Sequence, residues 1–258
     1  MADIIAIVNQ KGGVGKTTTT VSLAAAFAKR DKRVLVIDLD PQRNASTTLN
    51  KGGQYDGPSI NDLIYFTVSK FPYTIQNFIR YNDTEGVDYI PATPMLASAP
   101  GILAQDKEDS YTVLRRLLRN PELENKYDYI IIDCKPSLDL LVGNALAAAD
   151  RVIVPVQPDD YSLDGFADLM DTIDSIRDRY NDALKIDGIL VTLATMSRKT
   201  TKQIIEQLRE TFGSLVYQTV LPNLADVANA KEKGRSMVSC GYRLGTLYEE
   251  LAQEVLMR

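Results

Sequence analysis

Short apolar runs recur along the chain at Ile4–Val8, Val34–Ile37, Val87–Ile90, Tyr129–Ile132, Val152–Val156, Ile186–Thr192 and Leu215–Val220. Their apolar character is continuous rather than alternating, which marks strands covered on both faces, as in a parallel sheet. Between them lie stretches with helical spacing of apolar residues: Lys16–Lys29, Leu138–Ala149, Leu163–Tyr180, Lys199–Phe212 and Tyr242–Met257. This alternation predicts an α/β fold, a three-layer, doubly wound and mostly parallel sheet. Residues 59–120 carry the weakest pattern and are expected to hold two or three helices on one side of the sheet. The Gly- and Pro-richer stretch Lys51–Ser59 reads as a surface loop. With neither an internal repeat nor a low-complexity tract, residues 1–258 are expected to form a single domain.

Composition narrows the chemistry. Hydrophobic residues make up 45% of the chain and charged residues 24%, an ordinary mix for a protein with a large core. The net charge of −5 argues against a whole-surface grip on nucleic acid or anionic lipid, so any such binding needs a local basic patch. Cys134 and Cys240 lie far apart and in no metal-ligand spacing, which fits a reducing compartment without a disulfide framework. The apolar run that begins at Ile4 leaves no room for a signal peptide. No stretch approaches the roughly 20 apolar residues of a membrane span. A cytoplasmic location is therefore expected. His and Trp are both absent, so acid-base and metal chemistry must fall to carboxylates and hydroxyls.

The segment Gln10 to Thr18 follows a predicted strand and opens a predicted helix, the setting of a phosphate-binding loop. Lys11, Gly12, Gly13, Val14, Gly15, Lys16, Thr17 and Thr18 are the candidate nucleotide contacts. Glycines let backbone N–H groups curl around an anion, and the helix N-terminus adds its positive dipole end. Lys16 can then reach the β- and γ-phosphates, and the Thr17 hydroxyl can ligate Mg²⁺. A bare glycine-rich turn has no need of two lysines among three glycines followed by four threonines. The strict pattern asks for glycine where Gln10 stands and does not ask for Lys11.

Two further strands end in carboxylates. Val36-Ile37-Asp38-Leu39-Asp40 places Asp38 and Asp40 at the carboxyl end of a strand, where open α/β sheets bind ligands. Tyr129-Ile130-Ile131-Ile132-Asp133 ends another, and Asp133 is the candidate for holding Mg²⁺ through a water. Without histidine, the attacking water is assigned to Asp40, with Asp38 in support.

Together, Lys11 to Thr17, Asp38-Leu39-Asp40-Pro41-Gln42 and Ile132-Asp133 resemble the deviant Walker A, Walker A′ and Walker B motifs of the ParA/MinD family of P-loop ATPases. Val154-Pro155-Val156-Gln157 with Tyr161-Ser162-Leu163-Asp164-Gly165, and Gly188 to Thr192, extend the resemblance over nearly the whole chain. It implies an ATP-sandwich homodimer in which Lys11 reaches the nucleotide of the other subunit, and slow, partner-stimulated hydrolysis. Pro41-Gln42 and Pro136-Ser137 resemble the Soj-like ParA partition branch, which implies nonspecific DNA, a nucleoid-associated location and a ParB-like centromere-binding partner. The resemblance also puts Pro222 and Asn223 beside the nucleotide.

MinD-like positioning on a membrane, or of a protein cargo, is the alternative. A membrane helix is disfavoured because Glu249, Glu250 and Glu254 line the polar face of the terminal stretch, which reads instead as core-packed. An electron-transfer relative such as nitrogenase iron protein would need cluster-ligating cysteines that two isolated ones do not supply. Three departures stand out. Lys135 replaces the first proline of the branch's Asp-x-Pro-Pro-Ser and is read as solvent-facing. Asp226 stands where the family has a DNA-contacting arginine. No helix-turn-helix precedes the loop, so operator-specific repression is not expected. DNA binding is therefore assigned to Arg198, Lys199 and Lys202 at one helix start and to Lys231, Lys233 and Arg235 in a later loop, outside the phosphate site.

Overall fold

The computed structural model describes residues 1–159, 164–224 and 226–258. Within them, β1 (Asp3–Ile7), β2 (Val34–Leu39), β3 (Arg80–Asn82), β4 (Val87–Ile90), β5 (Tyr129–Cys134), β6 (Arg151–Val156), β7 (Lys185–Ala194) and β8 (Val216–Pro222) form one sheet. Their order is β3-β4-β2-β5-β1-β6-β7-β8, and every neighbouring pair is parallel except β3–β4. The helices are α1 (Lys16–Ala28), α2 (Asn44–Leu49), α3 (Ile60–Ser69), α4 (Ala99–Leu103), α5 (Val113–Leu118) and α6 (Pro121–Lys126). After them come α7 (Leu140–Ala148), α8 (Asp164–Arg179), α9 (Lys199–Phe212), α10 (Asp226–Glu232) and α11 (Arg243–Leu256).

The continuous apolar runs have the cause the sequence suggested. Successive side chains of a strand point to opposite faces, and here both faces are roofed. Ile4, Ala6, Val8, Leu35, Ile37, Ile130 and Ile132 enter one core, shared with α3, α4, α5, α7, α8 and α9. Ile5, Ile7, Val34, Val36 and Ile131 enter the other, shared with α1, α2 and α11. At roughly 1.5–3 kcal/mol for each large aliphatic side chain withdrawn from water, these two layers dominate the stability of the fold.

Residues 59–120 hold α3, α4 and α5, all on one face, and also β3, which the apolar pattern did not reveal. With only Arg80, Tyr81 and Asn82 it is too short and too polar to leave a periodic signal. Its turn is built by Asn82, whose Oδ1 accepts from the N–H groups of Thr84 and Glu85 and whose Nδ2 donates to the Leu49 carbonyl at 2.6 Å. The other predicted elements differ from the observed ones only at their ends. The expected start of α8 at Leu163 and the Tyr161-Ser162-Leu163 segment lie outside the described residues.

α11 is packed into the core, with Leu244, Tyr248, Leu251 and Val255 buried. At the outer edge of the sheet the Glu254 carboxylate accepts from the N–H groups of Gln218 and Thr219, both at 2.8 Å, and from the Thr219 hydroxyl. Among the described residues no helix is long and apolar enough to cross a membrane.

Candidate nucleotide site

The loop between β1 and α1 is shaped by backbone that only glycine adopts without strain: Gly13 has φ +75°, and Gly15, the N-cap of α1, has φ +84°. Side chains fix it from below. Asn9 Oδ1 accepts from Lys11 N–H at 2.9 Å while its Nδ2 donates to the Pro155 carbonyl, and the Thr192 hydroxyl of β7 donates to the Val14 carbonyl at 2.8 Å. Lys16 is nearly buried, and its Nζ donates to the Lys11 carbonyl at 2.9 Å. Burial draws its pKa below the usual lysine value, an effect that the charge of Asp133 opposes. Lys11 forms an ion pair with Asp159.

The carboxylates meet through strand register. Asp38 of β2 and Asp133 of β5 are direct neighbours across the parallel pair, and Ile7, near the end of β1, flanks Asp133 on its other side. Asp133 is fully buried and accepts from the Thr17 hydroxyl at 2.7 Å and from the Thr20 hydroxyl at 3.1 Å. Asp38 accepts from Asp40 N–H at 3.0 Å, Ser46 N–H at 2.8 Å and the Ser46 hydroxyl at 2.7 Å. Desolvation raises the pKa of both, and the charge of Asp38 raises Asp133 further. Asp40 differs: one oxygen accepts from Gln42 N–H at 2.8 Å, and the residue borders an open cavity.

That cavity, of about 410 Å³, is lined by Gly12, Gly13, Gly15, Lys16, Thr17 and Thr18 on one side and by Asp40, Gln42 and Asn44 on another. Its volume is that of a small-molecule site. The donor set suits a magnesium nucleotide: backbone N–H groups and a lysine for phosphates, a threonine hydroxyl and buried carboxylates for the hard cation. Thr17 and Asp133 already touch, so the residues that would hold Mg²⁺ directly and through a water are brought together by the fold.

Two expectations need correction. Arg235 does not lie outside the phosphate site; with Val21, Ser22, Val227, Ser236 and Met237 it forms a wall of the same cavity. No spacing in the sequence announces this wall, because the segment returns from the far end of the chain. Lys135 is not solvent-facing: its side chain is 15% exposed and pairs with Asp139, the N-cap of α7. Pro222 ends β8 opposite Ala194, and Asn223 N–H donates to the Ala194 carbonyl; neither is among the residues that line the cavity. Arg198, Lys199 and Lys202 are exposed at the start of α9, which packs on one face of the sheet. Lys233 is exposed beside Tyr242, in a segment whose neighbours Ala230 and Met237 pack on the other face. The side chains of Asp226 and Lys231 lie outside the described residues.

Known proteins share this arrangement. A family model described as an AAA domain matches residues 2–186. The sporulation initiation inhibitor protein Soj of Bacillus subtilis is 37% identical over 99% of this chain and 98% of its own length. The chromosome partitioning protein ParA of Caulobacter vibrioides is 35% identical over 99% of this chain and 94% of its own. Among solved structures, cobyrinic acid a,c-diamide synthase of Mycobacterium smegmatis with a bound ATP analogue and magnesium superimposes with a TM-score of 0.81. It is 28% identical, with 99% of this chain and 95% of that one covered. With the phosphate loop, the paired strand-end carboxylates and these full-length relatives in agreement, the chain belongs to the ParA/MinD family of P-loop ATPases, which bind ATP and Mg²⁺.

Proposed function

We propose that the chain acts as one ATPase domain that closes into an ATP-sandwich homodimer, binds nonspecific DNA and serves partition with a ParB-like centromere-binding partner that stimulates a slow hydrolysis. The observation that carries this reading is the full-length likeness to Soj and ParA in a chain whose phosphate loop bears the extra Lys11.

In this reading Lys16 leaves the Lys11 carbonyl for the β- and γ-phosphates, and the glycine-loop N–H groups hold the remaining charge. Thr17 directly and Asp133 through a water would hold Mg²⁺, which when bound would supply positive charge against the phosphates. Asp38 stays occupied with Ser46 and Asp40 N–H, so its work is to hold the turn that carries Asp40. Asp40, with Oδ1 fixed by Gln42, accepts the proton of the attacking water on Oδ2 as the bond to the γ-phosphorus forms and the bridging bond to the β-phosphate breaks. Lys11 exchanges Asp159 for the phosphates of the second subunit's ATP.

The test is a mobility-shift series on unrelated duplexes with ATP and Mg²⁺. Binding should weaken with salt with a log-log slope of about −0.9 per phosphate neutralised, and Lys199→Glu should weaken all sequences alike and flatten that slope by about one to two units. A wild type that binds no duplex at low salt overturns the DNA reading and leaves positioning of a protein cargo.

A further inference from the structure

The wall of the cavity formed by Arg235 to Met237 is clamped by a carboxylate that belongs to no part of the ATPase machinery. Glu85 sits in the β3–β4 turn, is 5% exposed and lies outside the cavity wall. One of its oxygens accepts from Ser236 N–H at 2.9 Å and from the Ser239 hydroxyl at 2.5 Å; the other accepts from the Ser236 hydroxyl at 2.5 Å. Three donors, all from one short segment, converge on a buried carboxyl group. That is the arrangement of a fixed anchor, because leaving such a group without partners costs more than each bond contributes.

The same segment is fitted closely on its other sides. Gly234 has φ +59°, and a Cβ there would stand 2.4 Å from the Gly52 nitrogen, so the chain passes directly against the Lys51–Gly52 turn. Met237 N–H donates to the Ser22 hydroxyl of α1 at 3.2 Å, and a Cβ on Gly245 would meet the Met237 carbonyl at 2.5 Å. Arg235 N–H closes the end of α10 by donating to the Ala230 carbonyl. What this fixed backbone presents to the cavity is the arginine. Among the described residues no carboxylate pairs with its guanidinium, although the chain is acidic overall. A planar cation with five donors, held at a cavity that takes a polyanion, is the residue type suited to phosphate.

We propose that Arg235 is a second cationic contact to the nucleotide phosphates, in addition to Lys16, and that Glu85 is a positioning residue that holds it at the cavity through Ser236 and Ser239. This rests on the reading of the cavity as the ATP site. Arg235 is exposed, so its contribution is that of a partly solvated charged hydrogen bond, roughly tenfold in affinity.

The experiment is calorimetric titration of the full chain with ATP and with ADP, in Mg²⁺ and without DNA. Arg235→Ala should weaken ATP about tenfold and ADP less, with part of the ATP affinity restored in Arg235→Lys. Glu85→Ala should weaken ATP in the same direction, and the double variant should be no weaker than Arg235→Ala alone, since both act through one contact. If melting shows Glu85→Ala to be unfolded, Ser239→Ala, which removes one donor of the clamp, takes its place. ATP affinity within twofold of wild type in Arg235→Ala, with binding lost in Lys16→Met, overturns the arginine's role; a loss confined to DNA binding does the same and assigns Arg235 to DNA. Additive losses in the double variant overturn the positioning role of Glu85. Unchanged affinity in Lys16→Met as well would instead sink the nucleotide reading.

Discussion

Replacing Lys16 by methionine separates the lysine's role in binding from its role in the fold. The stem is retained and only the charge and its hydrogen bonds are lost. Without nucleotide, Lys16 is 7% exposed and its ammonium donates to the carbonyl of Lys11. Burial holds its pKa below the usual lysine value, so the unfolded chain favours the charged form more than the folded one does. At neutral pH the charge therefore opposes folding, and removing it should leave the nucleotide-free melting temperature unchanged or raise it, with no fall beyond about 2 °C. Binding should move the other way. Two charge-assisted hydrogen bonds to phosphate at about 1.5–3 kcal/mol each amount to roughly 3–6 kcal/mol, or about 10²–10⁴-fold in Kd. Scanning calorimetry and an ATP titration on the same sample check both halves. A variant that binds ATP within threefold of wild type, or melts more than about 5 °C lower, refutes the assignment of Lys16 to the nucleotide rather than to the fold.

Asp40→Ala should retain ATP affinity, accumulate dimer and lose turnover, because the residue faces the cavity and is assigned to the water; light scattering that shows only monomer with ATP contradicts this. Ser46→Ala removes the hydroxyl that donates to Asp38 and accepts from Ala92 N–H at 2.8 Å, leaving two buried groups short of a partner. The loss should be about 2–4 kcal/mol, a fall in melting temperature of roughly 5–15 °C, and a change below 2 °C would disprove the network. The pH dependence of the nucleotide-free chain follows from Asp38, which burial raises to about 6, and Asp133, which burial and the charge of Asp38 raise to about 8, both above the ordinary carboxyl value of 3.8. A carboxyl with a raised folded pKa contributes stability that is complete below its unfolded value and is lost as pH rises through the folded one. Melting temperature should therefore fall as pH rises from about 4 to about 8, and Asp133→Asn should flatten the decline; a rising profile would show both groups ionised in the folded state.

The sequence displayed the half of the site that is contiguous. The loop from Lys11 to Thr18 and the strand ends at Asp38 and Asp133 are each a few consecutive residues, and register on parallel strands then brings the carboxylates together without further information. What stayed hidden is what tertiary return supplies. The Lys11–Asp159 pair and the Glu85 clamp join residues 148 to 154 positions apart, the wall beside Arg235 meets Ser22 from 215 positions away, and no local period records such meetings. Composition misled once: Lys135 looked like a surface cation, but its partner Asp139 sits four residues on, at the cap of α7.

The ends of the sheet have a consequence for the chain in crowded solution. An open strand edge normally offers a row of donors on which a foreign strand can grow. On the β8 side, the donors at Gln218 and Thr219 are held by Glu254. An incoming strand meets a carboxylate there instead of free amides. On the β3 side the edge is three residues long, with Arg80 and Tyr81 presented first, too short to template a stable pair. Neither border is a growth point for intermolecular β-structure. Glu254→Ala should therefore show itself less in activity than in fibrillar, thioflavin-positive material after prolonged mild heating, where the wild type stays dispersed.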